Sequence, residues 1–103
     1  MSDNNIFRVL ADSQRRQILE LLKDGDLNAG QISEKLGITP AALSYHLKLL
    51  KNAGLTLEYK QGNFVFYKLN ISVFDEIIMW VKKFSEAKNN ITPENAADNG
   101  LVQ

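Results

Sequence analysis

The sequence predicts a mainly α fold that carries a single β-hairpin, an α+β arrangement built as one small domain. Three observations lead there. Apolar residues recur at helical spacing in five separate segments, the period switches to β-branched and aromatic runs over residues 56–69, and Gly or Pro punctuates the junctions. A chain of 103 residues, 45% of them apolar, has room for one core.

Ile6, Phe7, Val9 and Leu10 predict a short first helix. Asp12 or Ser13 can cap the next, QRRQILELLKDG, in which Ile18, Leu19, Leu21 and Leu22 form an apolar stripe that Gly25 closes. In DLNAGQISEKLG, Asn28 offers a cap, Ile32 and Leu36 a buried pair, and Gly37 a stop. Only Gly37-Ile38-Thr39 then separates this third helix from Pro40, which sits at the favoured first helical position behind a Thr cap. Two helices joined by so tight a glycine-containing turn make a helix-turn-helix. Its second helix ends at KNAGL, and residues 56–60 and 64–69 read as strands around the turn Gln61-Gly62-Asn63. The last helix falls in VFDEIIMWVKKFSEAK, with Ser72 as its cap, Asp75 and Glu76 in its first turn, and Lys82, Lys83 and Lys88 towards its end. From residue 89 the chain is polar and aperiodic. A domain is therefore expected over 1–88 and a flexible tail over 89–103.

Composition narrows the function classes. With no cysteine and a single histidine, His46, there is no disulfide framework and almost nothing to ligate a transition metal. MSDNNIFRVL has no basic region leading into an apolar run, and no window nears the ~18–20 apolar residues of a membrane span, so a cytoplasmic protein without membrane insertion is expected. The formal net charge is zero, yet residues 39–69 hold Lys48, Lys51, Lys60 and Lys68 against Glu58 alone. A local basic face of that kind suits contact with a polyanion.

At ~100° per residue, Leu43, Leu47 and Leu50 line one face of the helix that begins at Pro40, and Ala41, Ser44, Tyr45 and Lys48 cover the other. The first set holds the helix on the domain. The second, small and polar at its N-terminal end, suits entry into a DNA major groove, with Ser44 and Tyr45 as candidates for base or phosphate contacts. Thr39 stands at the entry to that face, and Lys48 and Lys51 are placed to neutralise phosphates. The hairpin, with Lys60, Gln61 and Asn63 at a polar tip and Lys68 on its second strand, is expected to act as a wing on the DNA backbone. The alternative is an ordinary solvated helix face, since helix-turn-helix units also occur in proteins that bind no nucleic acid.

LADSQRRQILELL, AGQISEKLGITPAALSYHLKLLKNAGL and YKQGNFVFYKLN, in that order and spacing, resemble the winged helix-turn-helix repressors of the ArsR/SmtB type over roughly residues 5 to 85. Ser44-x-His46-Leu47-x-x-Leu50 followed by Ala53-Gly54-Leu55 is the most specific part. FVFYKLN with FDEIIMWVKKF is most similar to the SdpR-like autorepressors, which lack metal sites. The resemblance implies a homodimer on a partly palindromic operator in double-stranded DNA, with residues 44–48 in the major groove and the hairpin as wing. Two departures separate this chain from the metal-sensing members. Their thiolate motif would fall at Ala29-Gly30-Gln31, and their Asp/His motif within residues 72–84; the first has no Cys here and the second no His. No metal and no cofactor are expected.

His46 lies at the edge of the leucine face. We read it as packed with a hydrogen bond, with a DNA contact as the alternative; metal ligation fails because a lone His cannot close a site. Catalysis fails too, because Ser44 and His46 point to different faces of a helix and no second His, Cys or phosphate loop is present. Arg15 and Arg16 are open to phosphate contact or to ion pairing with Asp12 and Glu20, and pairing is expected for at least one. Val73, Phe74, Ile77, Ile78, Trp80, Val81 and Phe84 cover more of the last helix than one domain face needs. Ile6, Phe7, Leu10, Phe74, Ile77, Ile78, Trp80, Val81 and Phe84 are therefore expected to form a two-fold dimer seam.

The sequence thus reads as a dimeric, sequence-specific DNA-binding repressor. The rival reading is a winged-helix interaction module whose aromatic last helix is the active surface. Relief of repression is expected through a small ligand in the seam, capture by a regulatory partner protein, or autoregulation by concentration.

Overall fold

A computed structural model describes residues 5–87; the expected tail over 89–103 lies outside them. Five helices and three strands follow in the order α1 (Ile6–Leu10), α2 (Ser13–Leu22), β1 (Leu27–Asn28), α3 (Ala29–Leu36), α4 (Pro40–Asn52), β2 (Thr56–Gln61), β3 (Phe64–Leu69) and α5 (Ile71–Ser85).

The helix boundaries follow from caps. Asp12 opens α2 by accepting the N–H groups of Gln14 and Arg15 at 2.9 and 3.1 Å. Those bonds, Arg15 N–H first, pull its carboxyl below the ordinary carboxylate value. Asn28 and Gln31 form a reciprocal capping box on α3, and Thr39 Oγ1 accepts the N–H of Ala42 at the start of α4, one residue ahead of Pro40. Gly37 closes α3 at φ +66°, a left-handed conformation that side-chain-bearing residues resist, and the Ser33 hydroxyl ties down the turn by donating to the Ile38 carbonyl. At the other end of α4, Gly54 at φ +79° lets the N–H of Leu55 reach the Leu50 carbonyl at 3.0 Å.

Two details differ from expectation at α5. The helix starts two residues early, from Asn70, which makes no side-chain cap and instead donates its Nδ2 to the Gly54 carbonyl. Ser72 is therefore inside the helix, not its cap, and Asp75 and Glu76 fall beyond the first turn.

The sheet order is β1-β3-β2, antiparallel throughout. β2 and β3 pair from Thr56↔Leu69 to Gln61↔Phe64 around the two-residue turn Gly62-Asn63, and the two-residue β1 joins β3 on its other edge at Leu27↔Tyr67. Nothing in the local pattern around Leu27–Asn28 predicts β1.

The core collects Ile18 and Leu22 from α2, Ile32 from α3, Leu43, Leu47 and Leu50 from α4, and Leu55 behind it. Burial of Leu50 at 0% exposure fixes which face of α4 is turned inward. Val73, Phe74 and Ile77 lean on this core from α5, yet no residue of that 15-residue helix is fully buried.

Candidate nucleic-acid interface

α4 presents Ala41, Ser44, Tyr45 and Lys48 to solvent, opposite buried Leu43, Leu47 and Leu50. The division between the two faces is the one the leucine spacing predicts. Tyr45, 61% exposed, is the largest side chain on the outer face. Thr39, although engaged as the cap, stands exposed at the entry to the helix.

His46 is not on that face. Its ring is 7% exposed, and both nitrogens are engaged within the chain: Nδ1 lies 3.3 Å from an Arg15 amino group and Nε2 2.9 Å from Gln14 Oε1. A guanidinium can only donate, so Nδ1 is the acceptor and the proton sits on Nε2, which donates to Gln14. His46 thus fastens α4 to the first turn of α2, packed with its hydrogen bonds, and the alternative of a DNA contact is corrected. A residue 31 positions away supplies one partner, which nothing in local spacing could reveal.

Arg15 and Arg16 depart from the expected ion pairing. Arg15 Nε donates to the Val9 carbonyl at 2.8 Å, and Arg16 to the carbonyls of Leu10 and Ala11 at 2.7 and 2.9 Å. The two guanidiniums cap the C-terminal end of α1, where carbonyls lack helical partners and the helix dipole favours positive charge.

The hairpin divides its lysines. Directly paired residues share a sheet face, so Glu58, Lys60, Val65 and Tyr67 lie on one side, and Leu57, Tyr59, Phe66 and Lys68 on the other. Lys60 is thus on the side turned to α4, with Gln61 and Asn63 exposed at the tip. Lys68 is on the far side, beside Lys23, Asp24 and Asp26. The structure thus separates Lys68 from the hairpin face that carries Lys60, a division that an alternation of two, applied to 56–69, already contains.

A groove of about 820 Å³ opens between α3, α4 and the hairpin, lined by Ser44, Lys48, Lys51, Glu58 and Tyr67 among others. Lys51, expected to be a free phosphate contact, reaches across it to Glu58 with Nζ 2.7 Å from Oε1. That hydrogen bond raises the lysine pKa. Gly30, Ser33 and Glu34 of α3 form the opposite wall, a contribution the sequence reading missed. Among the described residues no three His, Asp or Glu side chains gather as a metal site would require.

The apolar set splits as well. Ile6 is 2% exposed and belongs to the core, which corrects its assignment to a seam; the inner face of the short α1 points at the domain. Leu10, Phe74 and Ile77 are half-buried against the core. Phe7, Ile78, Trp80, Val81 and Phe84 stay exposed, with the Trp80 ring 5.1 Å from Phe7 and 4.9 Å from Phe84.

The family model described as bacterial regulatory protein, arsR family, matches residues 12–56, from the cap of α2 to the first residue of β2. The transcriptional repressor SdpR of Bacillus subtilis is 39% identical over 87 residues, spanning 84% of this chain and 97% of that one. The chain belongs to the ArsR family. Another relative, the arsenical resistance operon repressor of Staphylococcus aureus, is 37% identical over 75 residues, 73% of this chain and 72% of its own. Reduced HlyU from Vibrio cholerae superposes with a TM-score of 0.64 at 30% identity, covering 80% of this chain and 86% of that one. An ArsR-like regulator from Rhodococcus sp. RHA1 superposes at 0.73 with 24% identity, over 78% and 76%, a likeness of fold alone. As an ArsR-family protein the chain is a DNA-binding transcription regulator with a winged helix-turn-helix fold, and not an enzyme. No helix among the described residues is long and apolar enough to cross a membrane.

Proposed function

We propose that this ArsR-family chain acts in the cytoplasm as a homodimeric repressor, placing two copies of α4 in successive major grooves of a partly palindromic operator. The observation that carries the reading is the outer face of α4, where small Ala41 and Ser44, aromatic Tyr45 and cationic Lys48 all stand free of the core. Small residues allow close approach to base edges, Tyr45 offers a hydroxyl and a ring to them, and Lys48 meets a phosphate. Lys60, Gln61 and Asn63 reach the backbone from the wing, and half-sites lie one helical turn apart, ~34 Å. Repression is steric, because the occupied operator is closed to the transcription machinery.

The second protomer meets the first through α5 and α1. Support comes from a helix that is apolar over much of its surface and buries no residue fully, with Phe7, Trp80 and Phe84 clustered at its side.

Binding of random and operator-containing duplexes, measured as a function of salt, tests the proposal. Lys48→Ala should weaken binding to every duplex and flatten the salt dependence, whereas Tyr45→Ala should reduce the preference for operator over random sequence. Equal loss on both duplexes for Tyr45→Ala removes it as a base reader. Failure of the unaltered protein to bind DNA even at low salt removes the whole reading.

A further inference from the structure

Two carboxylates that binding to a polyanion does not call for line the groove beside α4, Glu34 of α3 and Glu58 of β2, and Glu58 is the one set against a lysine. Glu58 is the only carboxylate in residues 39–69, and β2 carries it to the side of the hairpin that faces α4. There it meets Lys51 at 2.7 Å, three residues along the helix from Lys48, and all three side chains line the same groove. Both partners retain solvent contact, with side chains 57% and 32% exposed, so the pair is held weakly and opens readily. Opening it does not help a phosphate, however. If Lys51 turns to the DNA, Glu58 is left uncompensated beside the same backbone, and the charge the two bring to the interface is zero either way.

Attraction to phosphates is independent of sequence and makes up essentially all of the affinity for random DNA. We propose that Glu58 is an affinity-limiting residue: by cancelling the charge that Lys51 would bring to the backbone, it restrains sequence-independent binding while leaving Tyr45 and Ser44 free to read bases. A regulator searching a chromosome meets a vast excess of random sites, and such a restraint keeps it from being held on them. The inference rests on the reading of α4 as the helix that enters DNA.

Equilibrium binding of the full chain to a random-sequence duplex, titrated across salt, is the test. Glu58→Gln should raise affinity about five-fold per chain near 0.15 M salt and steepen the logarithmic salt slope by about 0.9 per chain, the effect of one added phosphate contact. Glu58→Ala should give the same gain, and adding Lys51→Ala to Glu58→Gln should return affinity to that of the unaltered protein. Glu20→Gln changes net charge equally from an exposed site on α2, away from the groove, and should do nothing. The inference is overturned if Glu58→Gln leaves affinity and slope unchanged, or if Glu20→Gln matches its gain. Should the protein bind DNA through Lys48 with Glu58→Gln silent, only this inference falls; should the unaltered protein bind no duplex, the DNA reading falls and takes this with it.

Discussion

Replacing His46 by leucine separates a packing role from a DNA contact. The substitution puts an apolar side chain of similar bulk at a site 7% exposed, so little cavity opens. What disappears is the bond to Gln14 at 2.9 Å and the longer one to Arg15 at 3.3 Å. Gln14 is exposed and rehydrates, and Arg15 keeps its bond to the Val9 carbonyl, so neither is left stranded. At 0.5–1.5 kcal/mol net for each bond, the expected loss is about 1–2 kcal/mol. For a domain of this size that corresponds to a fall of roughly 5–15 °C in Tm, at 4–8 °C per kcal/mol. Circular dichroism during heating measures it. Duplex binding, measured well below the lowered Tm, should stay within about two-fold of the unaltered protein, because the outer face of α4 is untouched. An unchanged Tm together with collapsed DNA affinity would refute the reasoning, since the ring would then be working outside the fold.

Three other substitutions address separate features. Thr56 is 1% exposed and its hydroxyl has no partner among the described residues, so Thr56→Val should leave stability unchanged or raise it by up to ~1 kcal/mol, and a loss of that size in urea unfolding would show a hidden partner. Asp12→Ala removes the cap of α2 and should cost about 0.5–2 kcal/mol near neutral pH. Because the folded carboxyl titrates below its unfolded value, the cap's ionic contribution is present above pH ~4 and fades as pH falls through the lowered folded pKa, so the gap between Asp12→Ala and the unaltered protein should narrow on acidification. If the proposed dimer joins through α5, Val81→Asp, which places a charge on the exposed side of that helix, should halve the mass seen by light scattering without unfolding the core; an unchanged mass would refute a seam through this face.

The parts of this fold that sequence exposes are those governed by neighbours a few residues away. Leu43, Leu47 and Leu50 declare the inner face of α4 by spacing alone, and Asn28, Thr39 and Gly37 mark helix ends through bonds that span three to five residues. Contacts between distant segments leave no such trace. β1 is two residues long and exists because β3 offers it an edge; Lys51 finds Glu58 across the turn from helix to strand; His46 finds partners in α2. Lys68 is a different case. Strand alternation contained the information that it faces away from Lys60, and counting positive charges along the chain concealed it. Ile6 was hidden for a related reason: a five-residue helix is too short for periodicity to say which apolar residues turn inward.

The unburied apolar side of α5 bears on how the regulator responds to its own abundance. If each operator takes two chains that join through this helix, then at concentrations too low for pairing the amount of competent species follows the square of the chain concentration, and halving the supply cuts it about four-fold. A switch of that steepness needs no inducer. Synthesis and dilution by growth would be enough to set when the gene is released.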